Sequence, residues 1–301
     1  MNRKKITAVL IALTTVNLLI FFFRDHFQFQ PYVTTASLYG SCDEDCARKW
    51  GLYTSSYGEA ERLRTAKIVA SLPVTDGTVR ARVQAIGEHL YNQFGHRLGT
   101  PPSGLLDASP LTQYNTLRNQ DSLQLHCGNY SLMFAYFCWS QGIVCRTMEL
   151  PVAGNHHVLN ECYLPESGEW MVVDLTYNLL SAQDSNGKLL NFPTLRELAR
   201  KRGTVWAQGE GATGRRKIAW QTFGATNYYV PELPVYYYHP ATMDIYSTSY
   251  KLRRYFLPQS WYDILDRNTK SNVPFYLKLT VFALWLLTFF IFIARRMKFK
   301  L

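Results

Sequence analysis

The 301-residue sequence contains no internal repeat, no phosphate-binding P-loop and no glycine-rich dinucleotide fingerprint. These absences argue against repeat architectures and against the nucleotide-binding classes that carry such motifs, and no organic cofactor is implied. Apart from Cys42 and Cys46, the sequence has no second Cys/His pair with the spacing of metal ligands, so it implies no metal ion either. Apolar residues make up 47% of the chain, which is ample for a folded core.

Acidic residues are absent from both ends of the chain. Residues 1–24 and 273–301 carry nine lysines and arginines and no aspartate or glutamate. The rest of the chain holds 23 basic and 22 acidic residues, so the net charge of +10 comes almost entirely from the two ends. A nucleic-acid partner is therefore not expected, and the basic residues are interpreted as membrane flanks.

Each end also has a long uncharged or nearly uncharged run. Residues 6–23 contain no charge, and residues 274–294 contain only Lys278, so both predict transmembrane helices. The first run could instead be a cleaved signal peptide, but no small-x-small cleavage site follows it, which favours an uncleaved anchor. Because basic residues flank both runs, residues 1–5 and 295–301 are expected in the cytoplasm. The sequence thus predicts a two-pass protein of the cell membrane with an extracytoplasmic domain, periplasmic if the cell is Gram-negative.

Between the two runs the sequence predicts one domain with attached segments. Residues 24–57 are expected to be a juxtamembrane segment, residues 58–225 the domain, and residues 226–273 a tyrosine-rich arm. The arm could form a stacking surface for a sugar, but packing on the domain and at the membrane interface is favoured. Cys42 and Cys46 could close a local disulfide in an oxidising compartment.

The first part of the domain reads as two helices followed by a loop. Residues 58–72 and 77–98 space their apolar side chains three to four residues apart, which predicts amphipathic helices. Residues 100–126 are polar and are expected to be irregular. This loop could supply an oxyanion donor beside the backbone N–H of Cys127. The candidate side chains are Gln113, Tyr114, Asn119, Gln120 and Gln124.

Cys127 precedes an apolar run that is long enough for three helical turns. Residues 130–139 are apolar almost all round, which predicts a buried helix, and Gly142 fits the left-handed stop after it. A cysteine at a helix N-terminus lies at the positive end of the helix dipole, which favours the nucleophilic thiolate. The other cysteines in apolar helix or strand positions are interpreted as buried small hydrophobes: Cys138, Cys145 and Cys162.

Residues 157–174 predict a β-hairpin. His157 stands at its start and Asp174 at its end, so the carboxylate can orient the imidazole across the hairpin. Two registers are open. A two-residue turn pairs His157 directly with Asp174, whereas a turn centred on Ser167 places Asp174 opposite Asn160.

Four segments, in this order and at these spacings, resemble the core of the transglutaminase-like superfamily: residues 127–135, 142–146, 157–161 and 170–178. The resemblance covers roughly residues 58–200. It implies a papain-like α+β fold, with a central helix packed on an antiparallel sheet, and a catalytic triad of Cys127, His157 and Asp174. His156 is the nearest rival to His157, but the match to His-x-x-Asn-Glu favours His157.

On this resemblance Cys127 attacks an amide carbonyl. His157 takes the thiol proton or pairs with a pre-formed thiolate, and it later protonates the leaving amine, while Asp174 holds the imidazole. The acyl-enzyme passes to water or to an amine, so a peptidase, amidase or transamidase is expected. The expected partners are the lipid bilayer, a peptide or protein amide in the cell envelope, and an envelope-assembly protein. The alternative is a non-catalytic accessory or binding protein of an envelope or polysaccharide assembly system, against which the intact triad argues.

Overall fold

The computed structural model describes residues 3–22, 33–34, 57–152, 155–209, 216–231, 235–238, 262–265 and 273–298. The chain divides into two compact units. One comprises Met1–Val33, Thr248–Ser260 and Asn268–Leu301, and the other comprises Thr34–Ser247 and Trp261–Arg267. The predicted Cys42–Cys46 disulfide, and most of the predicted juxtamembrane segment and tyrosine-rich arm, lie outside the described residues.

Helices and antiparallel strands are mixed along the described chain, which confirms the α+β class. The helices are α1 (Arg3–Phe22), α2 (Glu59–Ala70), α3 (Val79–Phe94), α4 (Pro110–Asn119), α5 (Cys127–Ser140), α6 (Phe192–Arg200), α7 (Thr226–Tyr229) and α8 (Val273–Lys298). The strands are β1 (Val33–Thr34), β2 (Cys145–Val152), β3 (Asn155–Leu164), β4 (Glu169–Val173), β5 (Ser181–Gln183), β6 (Trp206–Gln208), β7 (Arg216–Lys217), β8 (Val235–Tyr238) and β9 (Tyr262–Leu265).

Both apolar ends of the chain are helical in the first unit. Among the residues described there, α8 holds the one stretch long and apolar enough to cross a membrane, Tyr276–Ala294. The indole N–H of Trp285 in α8 donates a hydrogen bond to Thr14 Oγ1 in α1, at 2.8 Å. The structure therefore supports one candidate span and does not support the expected pair of transmembrane helices. Insertion of α1 stays a prediction.

The second unit is built on antiparallel β-sheet. Strands β9, β8, β2, β3 and β4 lie side by side in that order, and β5, β6 and β7 form a separate antiparallel sheet. Successive side chains on a strand point to opposite faces, so the larger sheet has two apolar faces. One face packs with α5 and includes Cys145, Cys162 and Met171. The other face includes Met148, Leu159 and Val172.

Helix α5 is buried along almost its whole length, as its apolar sequence predicts. Met133, Phe134 and Phe137 are fully enclosed in the first core, which is the apolar cluster between α5 and the sheet face of Cys145, Cys162 and Met171. The helix ends at Ser140 with Gln141 as its C-cap, and Gly142 follows in the left-handed conformation with φ of 72°, which confirms the predicted stop. This packing fixes the helix that carries Cys127 as part of the core.

The prediction of an irregular segment over residues 100–126 is wrong in its middle part, which forms α4. Ser109 caps this helix by accepting a hydrogen bond from the backbone N–H of Thr112, and Pro110 occupies the first turn. Ser followed by Pro is a helix-start signal that the polar composition of the segment obscured. Apolar residues of α4 such as Leu117 pack into the core.

The hairpin of β3 and β4 forms as predicted, but both proposed registers are wrong. Leu164 pairs with Glu169, so the turn contains four residues, 165–168, rather than two or a turn centred on Ser167. Gly168 takes φ of 67°, and its N–H donates to the carbonyl of Leu164 at 2.8 Å. A glycine adopts this left-handed backbone without steric cost, which allows the chain to close the turn there.

Candidate active site

The N-terminus of α5 is fixed by the residue that precedes Cys127. His126 is the N-cap, and its Nδ1 accepts a hydrogen bond of 3.1 Å from the backbone N–H of Gly128. Asn129 Oδ1 accepts a hydrogen bond of 3.1 Å from the His126 backbone N–H, which completes a capping box. Burial lowers the pKa of His126, so its ring stays neutral and keeps the acceptor that the cap needs. Cys127 is therefore held at the first position of a capped helix.

Polar contacts tie α5 to the strand that carries His157. Ser131 Oγ donates to the carbonyl of Val158 at 2.9 Å, and Asn160 Nδ2 donates to the carbonyl of Ser131 at 3.3 Å. Asn160 Nδ2 also contacts Thr147 Oγ1 on β2 at 3.0 Å. These groups are buried, and each contact satisfies a polar atom that would otherwise be costly. The position of Cys127 relative to β3 is thus set by the core.

His157 and Asp174 meet across the β3–β4 hairpin although they are not directly opposite. The last strand pair is Asn160 with Val173, so Asp174 falls opposite Leu159 in the same register. His157 is two residues from Leu159 and shares its face of the sheet, which makes it a diagonal neighbour of Asp174. His157 Nε2 and Asp174 Oδ2 are 2.6 Å apart, and both side chains are buried.

Tyrosine rings enclose the His157–Asp174 pair. The ring of His157 lies 4.8 Å from that of Tyr228 and 5.2 Å from that of Tyr177, measured between centroids. The hydroxyl of Tyr229 donates to Asp174 Oδ2 at 2.6 Å. Burial, and then the charge of Asp174, raise the pKa of Tyr229, which keeps its hydroxyl protonated as a donor. The carboxylate oxygen therefore accepts hydrogen bonds from two buried groups.

Cys127 is the solvent-accessible member of the candidate site, next to the buried pair of His157 and Asp174. Its side chain is partly exposed, and its Sγ is 3.8 Å from the carbonyl oxygen of His156. The Cys127 sulfur also contributes, by hydrogen bonding and charge, to raising the pKa of His157. Because Asp174 holds Nε2, the other ring nitrogen of His157 is the one available to the thiol. The structure thus brings Cys127, His157 and Asp174 together.

His156 points away from this site. Its Nδ1 is 2.5 Å from Glu149 Oε1, and its side chain is 62% exposed. The hydrogen bond to Glu149 raises the pKa of His156 despite partial burial. Adjacent strand residues face opposite ways, so only one of His156 and His157 can serve the site.

Three of the five side chains that the sequence offers as oxyanion donors have other partners: Gln113, Tyr114 and Gln124. Gln113 is buried, with Nε2 donating to the carbonyl of Ala108 at 2.9 Å and Oε1 accepting from Asn129. The hydroxyl of Tyr114 pairs with His89 Nε2 at 2.9 Å. Gln124 Oε1 accepts from the backbone N–H of Thr100. These residues brace the scaffold around α4 and α5 rather than the thiol.

The sequence does not distinguish the tyrosines at the site from the chain's other tyrosines. Tyr177 lies in the segment after Asp174 that resembles the family core, and its ring contacts His157. Tyr228 and Tyr229 belong to α7, at the start of the predicted tyrosine-rich arm. A tyrosine signal was visible, but composition alone could not indicate which ring reaches His157 and which hydroxyl reaches Asp174.

Comparison with known proteins gives little beyond this geometry. No family model matches the chain, and no curated protein matches it. A solved structure from Cytophaga hutchinsonii, described as that of a candidate cysteine protease, is 19% identical over 52% of this chain and 48% of that chain, with a TM-score of 0.33. The chain thus spans about half the length of the solved structure that it matches. The functional interpretation rests on the site itself.

The pKa of His157 leads to an expected pH dependence of stability. Burial alone lowers this pKa, but the charge and hydrogen bond of Asp174 and the Cys127 sulfur outweigh burial and raise it from 6.5 to about 9. A group with a raised folded pKa stabilises the fold fully below its unfolded pKa and loses that contribution as pH rises through the folded value. The free energy of unfolding should therefore fall by a few kcal/mol between about pH 6.5 and pH 9.

Denaturant titration of the full chain at a series of pH values measures this decline. His157→Gln should flatten the curve over the same interval, because the titrating group is gone. An equal decline in the variant and the parent would assign the pH dependence to other groups and would contradict the raised pKa.

Tyr229→Phe should slow the amide cleavage or transfer expected at this site while leaving the fold unchanged. The substitution keeps the buried ring and removes the hydrogen bond to Asp174. Hydrogen bonds to charged groups contribute about 1.5–3 kcal/mol, so kcat should fall roughly 10- to 100-fold with little change in KM. Tyr130→Phe is the matched control, since the buried Tyr130 hydroxyl has no hydrogen-bond partner among the described residues. Equal activity of Tyr229→Phe and the parent would show that the hydrogen bond from Tyr229 to Asp174 does not contribute to catalysis.

Proposed function

We propose that the chain is a membrane-anchored cysteine enzyme that cleaves or transfers an amide through an acyl-thioenzyme. In this proposal Cys127 is the nucleophile, His157 the general base and acid, and Asp174 the residue that orients the imidazole. Water as the acceptor would make the enzyme a hydrolase such as a thiol protease or amidase, and an amine would make it an acyltransferase.

One observation carries the proposal: a partly exposed cysteine at a capped helix N-terminus lies beside a buried histidine–carboxylate pair. The 2.6 Å contact of His157 with Asp174 Oδ2 keeps the imidazole oriented, and the hydroxyl of Tyr229 donates a second hydrogen bond to the same oxygen. The raised pKa of His157 favours an imidazolium at neutral pH, the form that stabilises a thiolate and protonates a leaving amine. A buried histidine with a purely structural role would not require a partly exposed thiol beside it.

The substrate proposed is a peptide or protein amide of the cell envelope. To test this, the full chain in detergent is incubated with envelope-derived peptides and quenched in acid, and the acyl-enzyme is sought by mass spectrometry. We expect a mass increase that maps to Cys127 and is absent from Cys127→Ala. An unmodified Cys127 with every peptide, together with no product, would favour the non-catalytic accessory role.

We also propose that the domain is extracytoplasmic and that both ends of the chain are cytoplasmic. The support is the basic residues that flank both apolar runs, since such residues are retained on the cytoplasmic side. A reporter that is active only in the cytoplasm, fused after Leu301, is expected to be active. Activity of a reporter restricted to the outside at the same position would reverse the topology. N-terminal sequencing that began between Arg24 and Ser37 would show that the first run is cleaved.

A further inference from the structure

Three cysteines outside the candidate active site have their sulfur atoms in one place. Cys138 is in the last turn of α5, Cys145 begins β2, and Cys162 lies on β3. Cys145 and Cys162 are directly opposite each other in the β2–β3 register, so their side chains share one face of the sheet. The three Sγ atoms all lie within 4.8 Å of one another, and the three side chains are buried.

The spacing fits three thiolates around a single ion. A metal–thiolate bond is about 2.3 Å long, so three sulfurs in a trigonal plane around the ion stand about 4 Å apart. The Sγ atoms of Cys138 and Cys162 are 3.9 Å apart. A disulfide requires sulfurs about 2.05 Å apart, and all three cysteines are free thiols here. The arrangement therefore fits a shared ion without a large movement of any of the three.

The donor set indicates which kind of ion. Thiolates are soft ligands that select Cu(I) or zinc, and structural zinc is almost always four-coordinate. In the part of the chain that the structure describes, the donor group contains three cysteines and no histidine or carboxylate. We propose that Cys138, Cys145 and Cys162 form a three-thiolate site for a monovalent soft metal ion, Cu(I). As each copper–sulfur bond replaces an S–H bond, the proton is released to solvent.

Such a site would connect α5 and β3, the helix and the strand that carry Cys127 and His157. Cys138 is on the helix that begins at Cys127, and Cys162 is on the strand that carries His157. The ion would join the far ends of these elements, so its binding energy would stabilise the fold. Because the sulfurs are enclosed by the core, the ion would be acquired during folding. The metal site does not depend on the proposed amide chemistry.

The test uses the full chain in detergent with Cys42 and Cys46 replaced by serine, so that this second pair of thiols cannot bind copper. The reduced protein is unfolded and refolded without oxygen in the presence of Cu(I) and a competing chelator. We expect one copper per chain, an X-ray absorption spectrum with three sulfurs at about 2.3 Å, and a higher Tm than the copper-free protein.

Single alanine variants of the cluster then assign the ligands. Cys138→Ala, Cys145→Ala and Cys162→Ala should each weaken copper binding at least tenfold, whereas Cys127→Ala should retain one copper per chain. Refolded protein without bound copper, or undiminished copper in all three cluster variants, overturns the proposal. So does a preference for four-coordinate zinc, or a mass that shows a disulfide within the cluster. The absorption spectrum of the unsubstituted cluster decides the question even if an alanine variant does not fold.

Discussion

Cys127→Ala is expected to abolish turnover while leaving the fold intact. The side chain is partly exposed at the first position of α5 and makes no contribution to the first core, so alanine should be tolerated there. Loss of the nucleophile from a catalytic triad lowers kcat on the order of 10⁶-fold. The measurement is the release of product from an envelope-derived peptide, with the unfolding transition recorded alongside to confirm that the variant is folded.

His157→Ala should lose nearly as much activity, because the members of a catalytic unit act together and their effects are not additive. Asp174→Asn should lose less, about 10²- to 10⁴-fold, since it removes orientation and charge but leaves the base in place. His156→Ala is the matched control. Its ring is adjacent in sequence but exposed and bonded to Glu149, so its loss should leave kcat almost unchanged.

Two results would contradict this assignment in different ways. If His156→Ala removes activity and His157→Ala spares it, then His156 rather than His157 faces the thiol. In that case Asp174, which contacts His157, has no catalytic role either. If the variants of Cys127, His157 and Asp174 all keep full activity, the chain is not an enzyme of this kind.

The sequence predicted those parts of the fold that depend on local patterning. The buried helix after Cys127, its stop at Gly142 and the hairpin that follows can all be derived from apolar runs and glycine placement. The hairpin register could not be derived, because a one-residue difference in turn length changes every cross-strand pair. His157 still reaches Asp174 because a diagonal neighbour on the same face is close enough for a hydrogen bond.

What the sequence could not predict are contacts between residues far apart in the chain. Tyr229 is 55 residues from Asp174 and donates to it from α7. The three clustered cysteines have spacings unlike those of known metal motifs, and they meet because β2 pairs with β3 beneath α5. Short-range sequence patterns carry no information on such long-range contacts, because these contacts depend on the order of strands in the sheet and on where the helices pack.

The His-x-x-Asn-Glu pattern shows how one motif can serve two purposes. Its histidine, His157, enters the candidate site, whereas Asn160 links α5 to β2 and β3. Glu161 forms a fully buried ion pair with Arg146, in which Glu161 Oε2 accepts from Nε at 2.8 Å and from Nη2 at 2.5 Å. Its other oxygen accepts from the backbone N–H of Phe192. The last two motif positions therefore build the scaffold.

Glu161→Ala is accordingly expected to destabilise the fold by about 3–5 kcal/mol, the usual effect of removing one partner of a buried ion pair. The variant would leave the Arg146 guanidinium, which stacks on the ring of Trp170 at 3.6 Å, buried without its counter-charge. Denaturant unfolding of the full chain measures the loss. Glu197→Ala is the control, because its ion pair with Lys201 is largely exposed and should contribute only about 0.3–0.5 kcal/mol.

Adding Arg146→Met to Glu161→Ala should recover part of the lost stability, because the double variant no longer buries the Arg146 charge in the absence of the Glu161 carboxylate. The two effects should thus be strongly non-additive, and kcat per folded molecule should stay close to the parent value. A loss below about 1 kcal/mol for Glu161→Ala would mean that water reaches the pair and that its burial contributes little. A fall in kcat with stability unchanged would instead place Glu161 in the reaction, and the motif would then act as a single catalytic unit.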